Sequence, residues 1–92
     1  MIKGFKHKGL EDFYLTGSVR RIQPTQAKKL NRILSVLEIA AIPQDLNLPS
    51  FHLHELKGDR KGEWAVTVRA NWRVTFRFIG TDVELVDYLD YH

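Results

Sequence analysis

A single change of hydrophobic period divides this chain. From Ala27 to Ala41 the apolar residues recur at helical spacing, with Ala27, Leu30, Ile33, Leu34, Leu37, Ala40 and Ala41 on one stripe. From Phe51 onward the period is two. Trp64, Val66 and Val68 alternate with Ala65, Thr67 and Arg69, and Trp72, Val74, Phe76 and Phe78 alternate with Arg73, Thr75 and Arg77. The two periods are not interchangeable, because a one-residue slip in a strand turns its whole buried face outward. Apart from a short strand read at the N-terminus, helices come first and strands follow without interleaving. This order predicts an α+β fold, an antiparallel β-sheet meander with two N-terminal helices packed on one face, rather than parallel βαβ units. At 92 residues, the length predicts one domain spanning 1–92.

Local signals set the expected boundaries. Met1 to Lys6 reads as a short strand. Leu10, Phe13 and Tyr14 sit at helical spacing and stop at Gly17. Pro24 opens the second helix, at its first position or just before a Thr25 cap; Pro43 ends it, and 43–50 reads as a loop. The two alternating runs must form a hairpin. A two-residue turn at Ala70-Asn71 would pair Arg69 with Trp72 and mix the faces. A three-residue loop, Arg69-Ala70-Asn71, pairs Val68 with Trp72 and Val66 with Val74 and puts Asn71 at a left-handed position, so the longer loop is expected. The last strand, Val83 to Leu89, breaks its alternation at Leu85-Val86, which predicts a bulge. Its apolar run is complete by Leu89, so Tyr91 and His92 are expected to add little core.

Charge and cysteine usage narrow the function classes. Hydrophobic residues are 43% and charged residues 27%, an ordinary globular composition. There is no Cys, which excludes a disulfide scaffold, a Cys nucleophile and every Cys-based metal site. No apolar run approaches the ~20 residues of a membrane span, and Met1 to Lys6 holds no signal-like apolar core, so a cytoplasmic location without membrane contact is expected. Residues 1–32 carry eight Lys/Arg against two acids, Lys57 to Arg77 six against two, and Asp82 to Asp90 four acids and no base. Two basic regions fit either a polyanionic partner met by one surface or a merely solvated basic surface.

Two constellations could carry chemistry. His52, His54, Asp90 and His92 include the side chain that titrates nearest neutrality, suited to general acid–base work. If His52 and His54 lie on a strand they share a face, and with Asp90 and His92 they could form a metal site. The favoured reading is the bland one, a solvated strand surface, and with no Cys and no strong ligand motif neither a metal nor a cofactor is expected. Arg69, Arg73 and Arg77, with Lys57, Arg60 and Lys61, form the second group. Fixed cations on a rigid hairpin can stabilise the growing charge of a reacting phosphate, or they can simply cover an open sheet face and pair with Asp82, Glu84 or Asp87. Arg73 and Arg77 stand about 13 Å apart along one strand. Arg60 lies in a Lys-Gly-Asp-Arg-Lys-Gly loop and is expected to matter less than Arg73. No Gly-rich phosphate loop and no Gly-x-Ser-x-Gly elbow is present, and Ser18 and Ser35 lack a triad setting.

The C-terminal half carries a recognisable set of motifs: His54-Glu55-Leu56-Lys57-Gly58, Gly62-Glu63-Trp64, Val66-x-Val68-Arg69, Asn71-Trp72-Arg73-Val74-x-Phe76-Arg77-Phe78 and Asp90-Tyr91-His92. This pattern resembles the HigB toxins of bacterial type II toxin–antitoxin pairs, within the RelE/ParE toxin superfamily. The resemblance implies a ribosome-dependent endoribonuclease that cuts messenger RNA during translation. It also implies a cognate helix-turn-helix antitoxin of the HigA type, with operator DNA reached only through that antitoxin. The family's catalytic positions fall on His54, Asp90, Tyr91 and His92, and its phosphate-contacting positions on Lys57 and Arg73, with Arg69 and Arg77 beside them. If residues 90–92 are extended, Asp90 and His92 share a face and Tyr91 points away. ParE members share the fold and act on gyrase, so a gyrase inhibitor or a non-catalytic basic RNA-binding module is the rival reading. The His-rich end favours the nuclease.

Overall fold

In the computed structural model, which describes residues 1–91, helix α1 (Lys8–Thr16) and helix α2 (Ala27–Ile39) precede four strands. These are β1 (His54–Glu55), β2 (Glu63–Arg69), β3 (Trp72–Ile79) and β4 (Asp82–Asp90), paired antiparallel in the order β1-β2-β3-β4. The expected α+β meander is therefore the fold. His92 lies outside the described residues.

Each helix begins and ends for a local reason. The His7 side chain caps α1, its Nδ1 accepting the Leu10 N–H at 2.9 Å. Gly17 closes α1 in the left-handed region at φ 80°, where its N–H reaches the Phe13 carbonyl and a Cβ would be strained. Helix α2 is entered through a single 3-10 turn, Pro24–Gln26, so Pro24 opens it as expected, without a Thr25 side-chain cap. It ends at Ile39, and Pro43 starts a second 3-10 turn, Pro43–Leu46, which buries Leu46 completely. Leu10, Leu30, Ile33, Leu37, Leu46 and Phe51 are fully buried against Val66, Val74, Phe76, Val83 and Val86 of the sheet. One buried polar pair crosses this core. The Tyr88 hydroxyl donates to Gln26 Oε1 at the entrance to α2, while the Tyr88 ring packs on Trp72 at 4.6 Å. Burial raises the Tyr88 phenol pKa.

The N-terminal segment makes two parallel bridges to the edge of β4, Ile2 with Val83 and Phe5 with Val86, and so shields that edge. The hairpin departs from expectation. Val66 does pair with Val74, but Arg69 pairs with Trp72 across a two-residue turn, Ala70-Asn71. The register is recovered by a bulge between Thr67 and Arg69, which keeps Val68 in the core. The left-handed residue is Ala70, at φ 51°, rather than Asn71. The expected bulge in β4 is present, with the register shift opposite Thr75 to Arg77 and Leu85 at φ 55°. Strand β4 runs on to Asp90, one residue past the expected end, and Tyr91 is partly buried but stands outside the hydrophobic core, which it was expected to add to little.

Candidate functional site

Directly paired residues share a face, so the register assigns each candidate within the strands to one side of the sheet. On the face away from the helices three rows run across the strands. The first is Glu63–Arg77–Glu84, the second His54–Ala65–Thr75–Asp87, and the third Thr67–Arg73–Leu89. The other face carries a row Arg69–Trp72–Asp90 at the hairpin end. The bulge at Val68 is what sends Arg69 there. The sequence reading grouped Arg69 with Arg73 on the open face, and the structure separates them.

His54 opens the second row, exposed on short β1, with its Nδ1 3.1 Å from the His52 carbonyl oxygen. His52 itself sits at φ 50°, outside β1, so the two rings are not successive same-face residues of one strand as the spacing suggested. Among the described residues no three His, Asp or Glu side chains gather in a way that could hold a metal ion. Lys57 is exposed at the start of the loop that leaves β1, just before a 3-10 turn, Gly58–Arg60.

The three arginine candidates differ in what they already hold. Arg77 is paired with Glu84, Nε donating at 2.9 Å and Nη2 to the same oxygen, which offsets its charge. Arg73 instead donates from Nη1 to the carbonyls of Ala70 and Trp72, at 2.6 and 3.0 Å. These contacts fix the guanidinium against the hairpin turn, with no ion pair to an acid among the described residues, which suits a phosphate contact. Arg69 is exposed on the opposite face.

Arg60, expected to matter less than Arg73 because it lies in a loop, is held in place by partners that the loop sequence did not suggest. From its turn it reaches back over the open face, donating to Glu63 through Nη2 at 2.8 Å and Nε at 3.4 Å. The same guanidinium lies 3.4 Å from Thr75 Oγ1 and, through Nη1, 3.3 Å from the Tyr91 hydroxyl. Each partner shifts the other. The Arg60 hydrogen bond holds the Glu63 carboxyl below the usual carboxylate range against the opposing effect of burial, and Glu63 raises Arg60 in turn. The signal in the sequence was the spacing Arg60-x-x-Glu63, which brings the pair together across one turn. Thr75, fully buried on a face expected to be open, is explained by this cover.

The chain end is built from both faces. Asp90 pairs with Trp72 on one side, and the Tyr91 N–H donates to the Asn71 carbonyl at 2.8 Å while its phenol meets Arg60 on the other. The alternation expected for Asp90 and Tyr91 therefore holds. His54, Arg73 and Tyr91 share the open face with Thr75, whereas Asp90 lies round the end of β4 and the candidate set wraps that end.

Two helices on a four-stranded meander, with cations and a histidine on the uncovered face, define the class of RelE-like toxins. The fold is similar to that of YafQ from Escherichia coli (TM-score 0.64, 16% identity, covering 96% of this chain and 89% of that one). It is equally similar to YoeB in the YoeB-YefM complex from Staphylococcus aureus (TM-score 0.65, 14% identity, covering 100% and 98%). Residues 3–92 match the family model described as the RelE-like toxin of type II toxin-antitoxin system HigB, and the chain belongs to that family. Endoribonuclease HigB of Proteus vulgaris is 44% identical over 92 residues, covering 100% of both chains. The family inferred from the C-terminal motifs is thus the family to which the chain belongs.

Proposed function

We propose that residues 1–92 act as one toxin domain, a ribosome-dependent endoribonuclease that cuts translated messenger RNA in the decoding site and so halts growth. The observation that carries this reading is the end-to-end similarity to an endoribonuclease of the same family, joined to an open face that holds both His54 and a backbone-fixed Arg73. In the reaction the ribose 2′-hydroxyl attacks the adjacent phosphate, a base takes its proton, and an acid protonates the leaving 5′-oxygen. His54 and His92 are the proton carriers, and Asp90 orients an imidazole or takes the proton itself. Arg73 and Lys57 stabilise the charge that grows on the phosphate. Arg69 and Arg77 add to the basic surround. Tyr91 positions the phosphate or stacks on a base. No metal or cofactor enters this route.

A HigA-type antitoxin with a helix-turn-helix motif is the proposed partner besides ribosome and message, with operator DNA reached only through it. The proposed location is cytoplasmic; among the described residues no helix is long and apolar enough to cross a membrane. The test is expression without antitoxin, followed by mapping of message ends and of plasmid supercoiling. Cuts inside coding regions are expected. Intact messages with altered supercoiling would replace this reading by gyrase inhibition.

A further inference from the structure

We propose that Arg60 is a positioning residue: clamped by Glu63, its guanidinium holds the Tyr91 phenol over the open face, and the rate of cleavage depends on that grip. The inference rests on the proposed place of Tyr91 in the site. The geometry of the guanidinium carries it. Nε and Nη2 both turn to the Glu63 carboxylate, at 3.4 and 2.8 Å, so the plane of the fork is set before Tyr91 is considered. Its remaining corner, Nη1, then meets the phenol oxygen at 3.3 Å. The mount is firm. The Glu63 side chain is only 16% exposed at the start of β2, and Thr75, the third partner, is fully buried in the neighbouring strand.

Tyr91 needs such a hold. It is the first residue past β4, beyond the last strand pair, Trp72 with Asp90. Its backbone N–H is anchored on the Asn71 carbonyl, which fixes the main chain but does not aim the hydroxyl. Accepting a bond from Arg60 fixes the hydroxyl, and it leaves the phenol's own proton free to point outward to a phosphate or ribose oxygen. Because Glu63 balances its charge, Arg60 contributes little to attraction of RNA from a distance. Its loss should therefore lower the rate at saturation rather than weaken binding, the opposite of a simple phosphate-attracting cation.

The experiment measures single-turnover cleavage of ribosome-bound message across toxin concentration for the full chain and for Arg60→Ala, Arg60→Lys, Tyr91→Phe and the double variant Arg60→Ala/Tyr91→Phe. Arg60→Ala is expected to lose about ten- to a hundredfold in saturated rate, with the half-saturating concentration changed less than about twofold. Arg60→Lys should recover only part, since an ammonium cannot hold a carboxylate and a phenol in one plane. The double variant should be no more than about twofold slower than the slower single one, because both act through one group. With tyrosine labelled by carbon-13 at the phenol carbon Cζ alone, the chain gives three ring signals; the one lost in Tyr91→Phe should shift in Arg60→Ala. Glu63→Gln, which keeps the shape and weakens the clamp, should reproduce the rate loss in smaller degree if Arg60→Ala folds poorly. Losses that multiply in the double variant, or full activity of Arg60→Ala beside a slow Tyr91→Phe, would overturn the positioning role and leave Tyr91 in the site. Full activity of Tyr91→Phe would overturn the positioning role and leave the Tyr91 ring only its stacking part in the site.

Discussion

Replacing Tyr91 separates what its ring does for the fold from what its hydroxyl does for chemistry. The ring is mostly buried on the open face, across the Arg60 and Thr75 cover. An enclosed tyrosine buries about 150–250 Å². Some two thirds of that, at about 25 cal/mol per Å², gives roughly 3 kcal/mol as an upper bound, since unfolded chains already bury part of the same surface. Tyr91→Ala should therefore cost about 2–3 kcal/mol, and in a domain of this size that lowers Tm by roughly 10–20 °C. Tyr91→Phe keeps the ring and loses one long bond to a cation, a cost of about 1 kcal/mol and a few degrees. The assay pairs thermal melts followed by circular dichroism with ribosome-bound message cleavage at a temperature where both variants are folded. Both should cleave slowly, while only the alanine variant melts early. A Tyr91→Ala melt within about 3 °C of the parent would refute the docking of this ring and the energetics built on it.

The two arginines of β3 should differ sharply. Arg73→Ala is expected to lose about 10²–10³-fold in cleavage, the usual cost of removing a fixed transition-state donor, while Arg77→Ala loses less than about tenfold because Glu84 already offsets it; equal losses in rate would refute the distinction. The Arg60–Glu63 pair should give an acid-labile part of the stability. The Glu63 carboxyl is depressed in the folded chain, so its contribution is complete above the unfolded value of about 4.3 and is lost as pH falls through the folded value. The gap in stability between the parent and Glu63→Gln should thus close on acidification from neutral pH, as read by urea melts at several pH values. Ala70→Gly should leave the fold intact and raise stability by up to about 1 kcal/mol, since glycine accepts the left-handed φ of 51° without the Cβ penalty; a clear loss in a denaturant melt would count against that strain.

Periodicity made the architecture legible. The 3.6-residue stripe of α2, the Gly17 stop and the broken alternation of β4 each reflect a local rule that tertiary packing leaves alone. The hairpin turn was not legible, because a bulge and a shorter turn satisfy the same core pairing of Val66 with Val74, and the choice depends on how Val68 is packed. That one choice moved Arg69 to the other face. The site candidates were nameable from motif spacing, yet their grouping was not. Whether an arginine pairs with an acid, as Arg77 does, or leans on carbonyls, as Arg73 does, depends on strand neighbours far away in sequence. The fixed position of Arg60 was hidden for the same reason. A Gly-flanked loop suggests mobility, and only the fold shows the guanidinium spanning from Glu63 to Tyr91.

The most direct test of the proposed chemistry offers the purified toxin one message in two forms, programmed on ribosomes and naked, and follows cleavage and the chemistry of the new ends. Rapid cutting of the ribosome-bound form is expected, with upstream products ending in a 2′,3′-cyclic phosphate or its opened form, and with His54→Ala slower by about 10²–10⁴-fold, the typical cost of losing an acid–base group. Equal cutting of naked message, or a His54→Ala variant that cleaves at the parent rate, would contradict it.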